Sequence, residues 1–318
     1  MHSLTLEKSA ISPSRELFVP FDSTLNKDVA LAHQHTLEWV RRFNLITEEL
    51  AYERCCASKI AWLAGRFFPN APLEELQIAC DWTTWMFILD DYSEANGHQG
   101  DRLAKIYTRF IDILAGVDVN DQDEPLAQAL RNIQQRLLPK VSPDWMLRFI
   151  HTVEECFESW LWEAKNRAAG VIPDVATYIK MRQFTSGLYT WFELIVPSEL
   201  IESPQKVWED PTVQQLTSMA NNIISWTNDI SSVDKELRDN DVHNLVFALQ
   251  HDHRLTLEEA LARAVELHNA QMQAFIDLEQ RLWLFGAEVD ANVKRYILGL
   301  HSMIGGHLDW LQETGRYR

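Results

Sequence analysis

The sequence has 318 residues, of which 46 are acidic and 29 are basic, so its formal net charge is −17. A chain this acidic lacks the basic surface that non-specific binding to nucleic acids or anionic membranes requires, which argues against both. Glycine and proline number 11 each. Both are rarer than the usual ~7% and ~5%, which favours long helices with few turns over barrels, Rossmann folds and β-sandwiches.

The four cysteines form no C-x-x-C pair from which a zinc site could be built. No signal peptide is recognisable, and no apolar run approaches the ~18 residues of a membrane span. We therefore expect a cytoplasmic protein with no stable membrane association.

Residues 1–20 contain Pro13 and Pro20 and are predicted to form a flexible tail. No low-complexity linker and no internal repeat divides the remainder, so residues 21–318 are predicted to be a single α-helical domain.

The first helices are predicted from apolar side chains that recur every three or four residues. Such a stripe runs from Leu25 to Phe43, and a second helix is predicted from a cap at Thr47 to about Ala64. Pro72 is suited to the first turn of a third helix that extends at least to Leu89.

Later helix starts are marked by caps and prolines. The dipeptides Ser142-Pro143, Ile172-Pro173 and Asp210-Pro211 each combine a cap or break with a proline, and Thr256-x-x-Glu259 is a capping box. No run of alternating residues predicts a strand. The fold class is therefore predicted to be all-α, with about ten helices.

Aromatic residues are abundant, with 12 Trp, 14 Phe and 7 Tyr. Most are expected to fill the core. Two groups, at 82–87 and 189–192, lie close in sequence to the polar motifs described next.

The first polar motif places Asp90, Asp91 and Glu94 at the end of an apolar helix. On a helix Asp90 and Glu94 share a face, and clustered carboxylates beside apolar surface favour a hard cation such as Mg²⁺. The alternative is an acidic last turn entering a loop, although acidic residues there oppose the helix dipole.

The second polar motif places Asn228, Ser232 and Glu236 at positions i, i+4 and i+8. These three oxygen donors lie on one helical stripe and could hold one Mg²⁺, with other positions left for water and phosphate. A solvated polar face is the alternative, but Ile223, Ile224 and Trp226 indicate that the same helix is buried just upstream.

Together the two motifs resemble those of bacterial-type class I terpene synthases, the D-D-x-x-D/E and N-D-x-x-S-x-x-x-E sequences. Arg182 lies 46 positions before Asn228, the spacing of that family's diphosphate-sensing arginine. Lys235 precedes the final Glu236, and Arg316-Tyr317 matches a C-terminal Arg-Tyr pair. The first motif ends in Glu94, where many members have Asp. The resemblance covers about residues 20–318.

The resemblance implies an α-helical bundle with a central active-site cavity. It implies Mg²⁺-dependent ionisation of a linear isoprenyl diphosphate, most commonly farnesyl diphosphate, and cyclisation of the carbocation with release of diphosphate. Three Mg²⁺ ions, or Mn²⁺ in their place, would be held by the residues of the two motifs. The implied diphosphate donors are Arg182, Lys235, Arg316 and Tyr317. A homodimer is possible.

The resemblance also implies aromatic residues that face a carbocation, which Phe87 and Trp310 match and Trp191 matches more weakly. Residues 182–187 resemble the family's broken helix, in which Thr185, Ser186 and Gly187 would bring backbone oxygen toward the cation. A simple helix kink is the alternative for this segment.

Three other functions share single features with this sequence. A chain-elongating prenyl diphosphate synthase shares the fold but normally carries two D-D-x-x-D motifs. A non-catalytic helical interaction module would not explain two metal-type motifs. A di-iron bundle is excluded because no histidine has a glutamate three residues before it.

Overall fold

The computed structural model describes residues 17–201, 205–239, 241–282 and 287–316, and within these ranges all regular structure is helical. The all-α prediction is confirmed. The fourteen α-helices of the described residues are α1 Val29–Arg42, α2 Glu49–Ala57, α3 Ile60–Phe67, α4 Leu73–Ala95, α5 Gly100–Leu114, α6 Pro125–Leu137, α7 Pro143–Ala169, α8 Val175–Thr185, α9 Leu188–Ser198, α10 Gln205–Trp208, α11 Pro211–Asp239, α12 Leu245–His253, α13 Leu257–Glu279 and α14 Ala287–Glu313.

Most of the predicted helix starts are confirmed. Ser142 caps α7, Asp210 accepts the backbone N–H groups of Thr212 and Val213 at the start of α11, and Thr256 and Glu259 form both halves of the capping box of α13. The start predicted at 172–173 is two residues early, because Asp174 is the cap and accepts the Thr177 N–H. The Asp174 carboxylate accepts a hydrogen bond from a backbone N–H of the first turn. Proline has no side-chain acceptor and could not do so.

The prediction of one helix from Thr47 to Ala64 is wrong. The helix begins after Glu48, which makes no side-chain cap, and the chain breaks between α2 and α3. At the break Lys59 takes a left-handed conformation with φ of 49°. A left-handed residue ends an α-helix, and periodicity of apolar residues does not reveal it.

Two of the central helices are joined by a pair of reciprocal hydrogen bonds. The Trp82 indole of α4 donates to Thr190 Oγ1 of α9 at 3.0 Å, and the Trp191 indole of α9 donates to Thr83 Oγ1 of α4 at 2.9 Å. All four residues are buried, so each polar atom is satisfied inside the core. These bonds fix the position of α4 before it reaches its acidic end.

A buried carboxylate joins three helices on the opposite face of α4. Asp81 is fully buried and accepts hydrogen bonds from Thr36 Oγ1 of α1 at 2.6 Å and from Arg136 Nη2 of α6 at 2.5 Å. His35 Nε2 lies 3.0 Å from the same carboxylate. Asp81 therefore serves packing and lies outside the cavity described below.

The N-terminal segment packs against the last helices. Residues 17–20 fall within the predicted flexible tail, yet Leu17 is buried and the Phe18 N–H donates to Asn269 Oδ1 at 2.8 Å. Phe21 stacks on His301 with ring centroids 3.8 Å apart. None of the described helices combines the length and the apolarity needed to cross a membrane.

The close approach of this segment to α14 leads to a stability prediction. A Cβ added at Gly305 would lie 2.6 Å from the Phe21 carbonyl oxygen, whereas one added at Gly100 would meet nothing within 4 Å. We expect Gly305→Ala to lower the free energy of unfolding by about 1–3 kcal/mol, because backbone must move. Gly100→Ala, the control, should change it by less than about 0.5 kcal/mol. Urea denaturation measures the free energy of unfolding of both variants. A Gly305→Ala protein as stable as Gly100→Ala would contradict the close contact between Gly305 and the Phe21 carbonyl.

Candidate active site

The candidate active site is a cavity whose wall is divided between charged and apolar residues. Its charged and polar part consists of Asp90, Glu94, Glu163, Arg167, Arg182, Thr185, Ser186, Ser225, Asn228, Lys235, Glu236, Asp241, His243 and Arg316. Its apolar part consists of Leu63, Phe67, Met86, Phe87, Trp160, Leu188, Trp191, Ile224 and Trp310. Nearly all of the apolar residues are buried, so the cavity has a charged end and a hydrophobic interior.

The first predicted motif lies in the last two turns of α4. Asp90 and Glu94 line the cavity, as their i, i+4 spacing predicts, whereas Asp91 lies outside its wall. Both carboxyl groups are accessible from the cavity but lie among many protein atoms. This burial, with repulsion from Asp91, raises the pKa of Asp90 to about 6. Burial and repulsion from Asp90 raise the pKa of Glu94 to about 7.

The second predicted motif lies along one stripe of α11. Ser232 Oγ donates to Glu236 Oε1 at 2.6 Å, and Asn244 Nδ2 donates to Glu236 Oε2 at 2.8 Å. Burial, with repulsion from Asp229, raises the pKa of Glu236 to about 8. Asn228 and Glu236 line the cavity, and Ser232 lies buried between them.

Arg182 is held in the cavity wall by a carboxylate that the sequence analysis did not single out. Its Nη2 donates to Asp229 Oδ1 at 2.8 Å and to Asn228 Oδ1 at 3.2 Å. The other oxygen of Asp229 accepts the Tyr178 hydroxyl at 2.6 Å and the Leu245 N–H at 3.2 Å. Burial alone would lower the pKa of Arg182, but the charge of Asp229 holds this pKa above its usual range.

Arg316 lies on the outer rim of the first motif. Its guanidinium donates to both oxygens of Asp91, at 2.6 and 3.2 Å, and lies 3.8 Å from Asp90 Oδ2. It also lies 4.6 Å from the centre of the Phe87 ring. Lys235 lines the cavity beside Glu236. Tyr317 lies outside the described residues.

The segment before Arg316 is fastened to the break between α2 and α3. Three donors near the C-terminus form hydrogen bonds to three successive backbone carbonyls at this break, those of residues 57–59. Trp310 Nε1 donates to Lys59 O at 3.0 Å, Thr314 Oγ1 to Ser58 O at 2.8 Å and the Gly315 N–H to Ala57 O at 3.2 Å. The break therefore supplies acceptors that a continuous helix would have used internally, and it positions Arg316.

A second break, between α8 and α9, lies at the residues predicted to form a broken helix. α8 ends at Thr185, and Gly187 has a φ of 68° that favours glycine. The Thr185 carbonyl already accepts the Trp160 indole N–H, and the Gly187 carbonyl accepts from Thr190. Thr185 and Ser186 line the cavity.

Two predicted aromatic residues meet in the apolar wall. Phe87 and Trp310 pack edge to face with centroids 6.0 Å apart. Trp191, the weaker candidate, also lines the cavity.

Several cavity residues were missed by the sequence analysis. Glu163 and Arg167 lie one turn apart on α7, and this i, i+4 pair of opposite charges was the available signal. Asp241 accepts from Arg167 at 3.2 Å. Burial would raise the pKa of Asp241. The nearby His243, whose backbone N–H donates to Asp241 Oδ1 at 3.0 Å, and the charge of Arg167 hold this pKa well below its usual range.

Comparison with known proteins agrees with this geometry. Residues 81–274, which contain both motifs, match the family model "Terpene synthase family 2, C-terminal metal binding". The chain belongs to this family. Terpene synthases are lyases that act on diphosphates, so the predicted enzyme class is confirmed against the chain-elongating and non-catalytic alternatives. The metal-binding description also confirms the expected use of a divalent metal ion.

Similar proteins include two bacterial sesquiterpene synthases. Germacrene A synthase of Nostoc punctiforme is 37% identical over 303 residues, which cover 95% of this chain and 94% of the relative. A (+)-T-muurolol synthase of Roseiflexus castenholzii, named as cyclising (2E,6E)-farnesyl diphosphate, is 35% identical over 95% of this chain and 93% of its own.

Solved structures show the same fold. Wild-type cucumene synthase superposes with a TM-score of 0.81 at 26% identity, over 93% of this chain and 99% of its own. Linalool/nerolidol synthase of Streptomyces clavuligerus superposes with a TM-score of 0.85 at 25% identity, again over 93% and 99%.

The buried pair of Arg182 and Asp229 leads to a second prediction. Asp229→Asn keeps the shape but leaves Arg182 without its counter-charge, so we expect the free energy of unfolding to fall by about 3 kcal/mol. Tyr178→Phe removes only one hydrogen bond to the same carboxylate and should cost about 1 kcal/mol. Urea denaturation measures both, and an Asp229→Asn protein as stable as the parent would contradict this role.

Proposed function

We propose that the protein ionises farnesyl diphosphate with the help of Mg²⁺ and cyclises the resulting carbocation to a sesquiterpene hydrocarbon or alcohol. The observation that carries the proposal is one cavity with two oxygen-rich helix stripes and four Arg or Lys side chains at one end and a buried aromatic interior at the other. A diphosphate group fits the charged end and a C15 chain the apolar interior. The names of the relatives support the C15 chain.

The residues at the charged end fit Mg²⁺. The proposed donors offer only oxygen atoms, which Mg²⁺ prefers. They are Asp90, Glu94, Asn228, Ser232 and Glu236, joined by Asp91 once Arg316 releases it. The raised pKa values of Asp90, Glu94 and Glu236 support the fit, because buried carboxylates near one another favour a nearby cation.

The number and kind of ions are part of the proposal. Within the described ranges no three His, Cys, Asp or Glu side chains form a preformed metal cluster. Amide and hydroxyl donors, water and substrate diphosphate would therefore complete the coordination of three Mg²⁺ ions, with Mn²⁺ as a substitute. Bound metal would supply positive charge that stabilises the departing diphosphate.

The chain's own cations bind the same diphosphate. Arg182 is preorganised by Asp229, so its guanidinium is oriented before the substrate arrives. Lys235 adds a second charge from α11, and Arg316 a third from the C-terminal segment, while Tyr317, which lies outside the described residues, stays a predicted hydroxyl donor. Because Arg316 pairs with Asp91, binding to diphosphate requires it to exchange one anion for another.

The apolar interior protects the carbocation. Phe87 and Trp310 offer ring faces that stabilise positive charge without acting as nucleophiles. The Trp310 N–H donates to Lys59 O, so it is directed away from the reacting carbon. The buried apolar side chains of the interior exclude water that would otherwise capture the cation.

The experiment that tests the function is incubation of the purified protein with Mg²⁺ and C10, C15 or C20 isoprenyl diphosphate, followed by gas chromatography. A cyclic C15 product formed only with Mg²⁺ is expected. Elongated diphosphates formed on addition of isopentenyl diphosphate would contradict the proposal. A homodimer and a cytoplasmic location stay predictions, which sedimentation and cell fractionation test.

The metal site gives a third prediction. Asp90→Asn keeps the shape of the side chain but removes an anionic donor, so diphosphate release should fall by about 10²-fold or more. The rise in melting temperature that Mg²⁺ with inorganic diphosphate gives the parent should be lost as well. Asp234→Asn changes an exposed carboxylate within the second motif and should leave both unchanged. A parent-like response of the Asp90 variant would exclude it as a metal ligand.

Phe87 gives a fourth prediction. A cation–π contact in a dry site is worth about 2 kcal/mol, which is enough to redirect a carbocation between competing products. We expect Phe87→Leu to change the product mixture while diphosphate release falls by less than about tenfold. Gas chromatography measures the product mixture, and a phosphate assay measures diphosphate release. An unchanged mixture would assign Phe87 to packing alone.

A further inference from the structure

His307 is a polar residue in the apolar part of the cavity wall. It lies on α14 one turn before Trp310, is 5% exposed and lines the cavity. Its Nδ1 is buried without a hydrogen-bond partner, and within the described residues no hydrogen bond to either ring nitrogen is found. A buried polar atom left unpaired costs about 1–3 kcal/mol, so packing alone does not account for histidine at this position.

The imidazole is neutral. Burial, reinforced by the charge of Arg182, lowers the pKa of His307 to about 3. A neutral imidazole has one N–H group and one lone pair, and here the lone pair is not used by another residue. His307 therefore has a nitrogen lone pair that no residue uses, in a side chain that lines the cavity beside Trp310.

Two other cavity residues have buried polar atoms without a hydrogen-bond partner, and neither matches this environment. The Thr185 hydroxyl is a far weaker base than an imidazole. His243 lies at the charged end, where its Nδ1 is 3.4 Å from Asp241. Protonation there would place the proton beside the proposed diphosphate rather than beside the hydrocarbon.

The surroundings of His307 do not favour a bound water. An ordered water requires two to four polar partners. The Trp310 N–H on the same helix is used by Lys59 O, and α3, which packs against α14, contributes Leu63 and Phe67 to the cavity. On the α3 side of His307, Leu63 and Phe67 therefore offer water no polar partner.

We propose that His307 is the catalytic base that ends the reaction by removing a proton from the last carbocation. A C–H bond next to the cationic carbon breaks, its electron pair forms the C=C bond of the product, and the proton is transferred to the imidazole nitrogen. A carbocation is a much stronger acid than an imidazolium ion, so the transfer is downhill. The imidazolium loses its proton to diphosphate or water when the product leaves the cavity.

The inference rests on the proposed function, and two measurements distinguish a failure of the inference from a failure of the proposed function. Diphosphate release reports ionisation, whereas the product pattern reports where the proton is removed. In His307→Ala we expect diphosphate release within about threefold of the parent, because ionisation takes place at the charged end. The share of the parent's main alkene should fall about tenfold or more, with earlier alkenes and alcohols in its place.

Rescue with small molecules distinguishes a base from a space-filling ring. His307→Ala leaves room for an added ring, so imidazole should restore the parent's product pattern. Pyrrole has the same shape but no basic lone pair, and it should not. His301→Ala is the matched control, because His301 lies on the same helix, pairs with Glu279 and does not line the cavity. Its product pattern should equal that of the parent.

Several outcomes would overturn the inference. They are an unchanged product pattern in His307→Ala, equal rescue by pyrrole, loss of diphosphate release together with product, or a parent whose main product is an alcohol. Should the alanine variant fail to fold, His307→Asn and His307→Gln are judged by the same product criterion. A parent that releases no diphosphate from C10, C15 or C20 substrates contradicts the proposed function itself.

Discussion

The ion pair between Arg182 and Asp229 is the contact on which the geometry of the charged end depends. It joins α8 to α11 at the level of the second motif, and Asp229 also holds Tyr178 and the first N–H of α12. Because the carboxylate is fully buried, its charge is compensated only by this arrangement. The orientation of Arg182 toward the cavity and the direction of Asn228 are therefore set by the same bonds.

Two helix breaks convert a packed bundle into one that surrounds a cavity. At Lys59 the break exposes carbonyls that the C-terminal segment binds, which brings Arg316 to the rim beside Asp91. At Gly187 the chain turns between α8 and α9, where Thr185 and Ser186 join the wall. Each break costs helical hydrogen bonds, and in both cases side chains from other helices supply partners.

The division of the cavity into a charged end and an apolar interior explains how an acidic chain can bind the proposed anionic substrate. Asp90, Glu94 and Glu236 gather at one end, where burial raises their pKa values. Metal ions would turn this acidic end into a site for diphosphate. Among the cavity residues His307 keeps an unpaired ring nitrogen, and the proposed deprotonation gives that nitrogen a function.

The sequence by itself determined the helical class, most helix starts and the two metal-type motifs, because caps and i, i+4 spacing are local properties of the chain. The resemblance to class I terpene synthases also indicated Arg182 and the aromatic residues Phe87 and Trp310. Only the tertiary structure decided that Asp91 turns away from the cavity, that Asp229 holds Arg182 and that His307 lies unpaired among apolar side chains. These properties depend on which helices meet, and residues far apart in sequence carry no local signal of their contact.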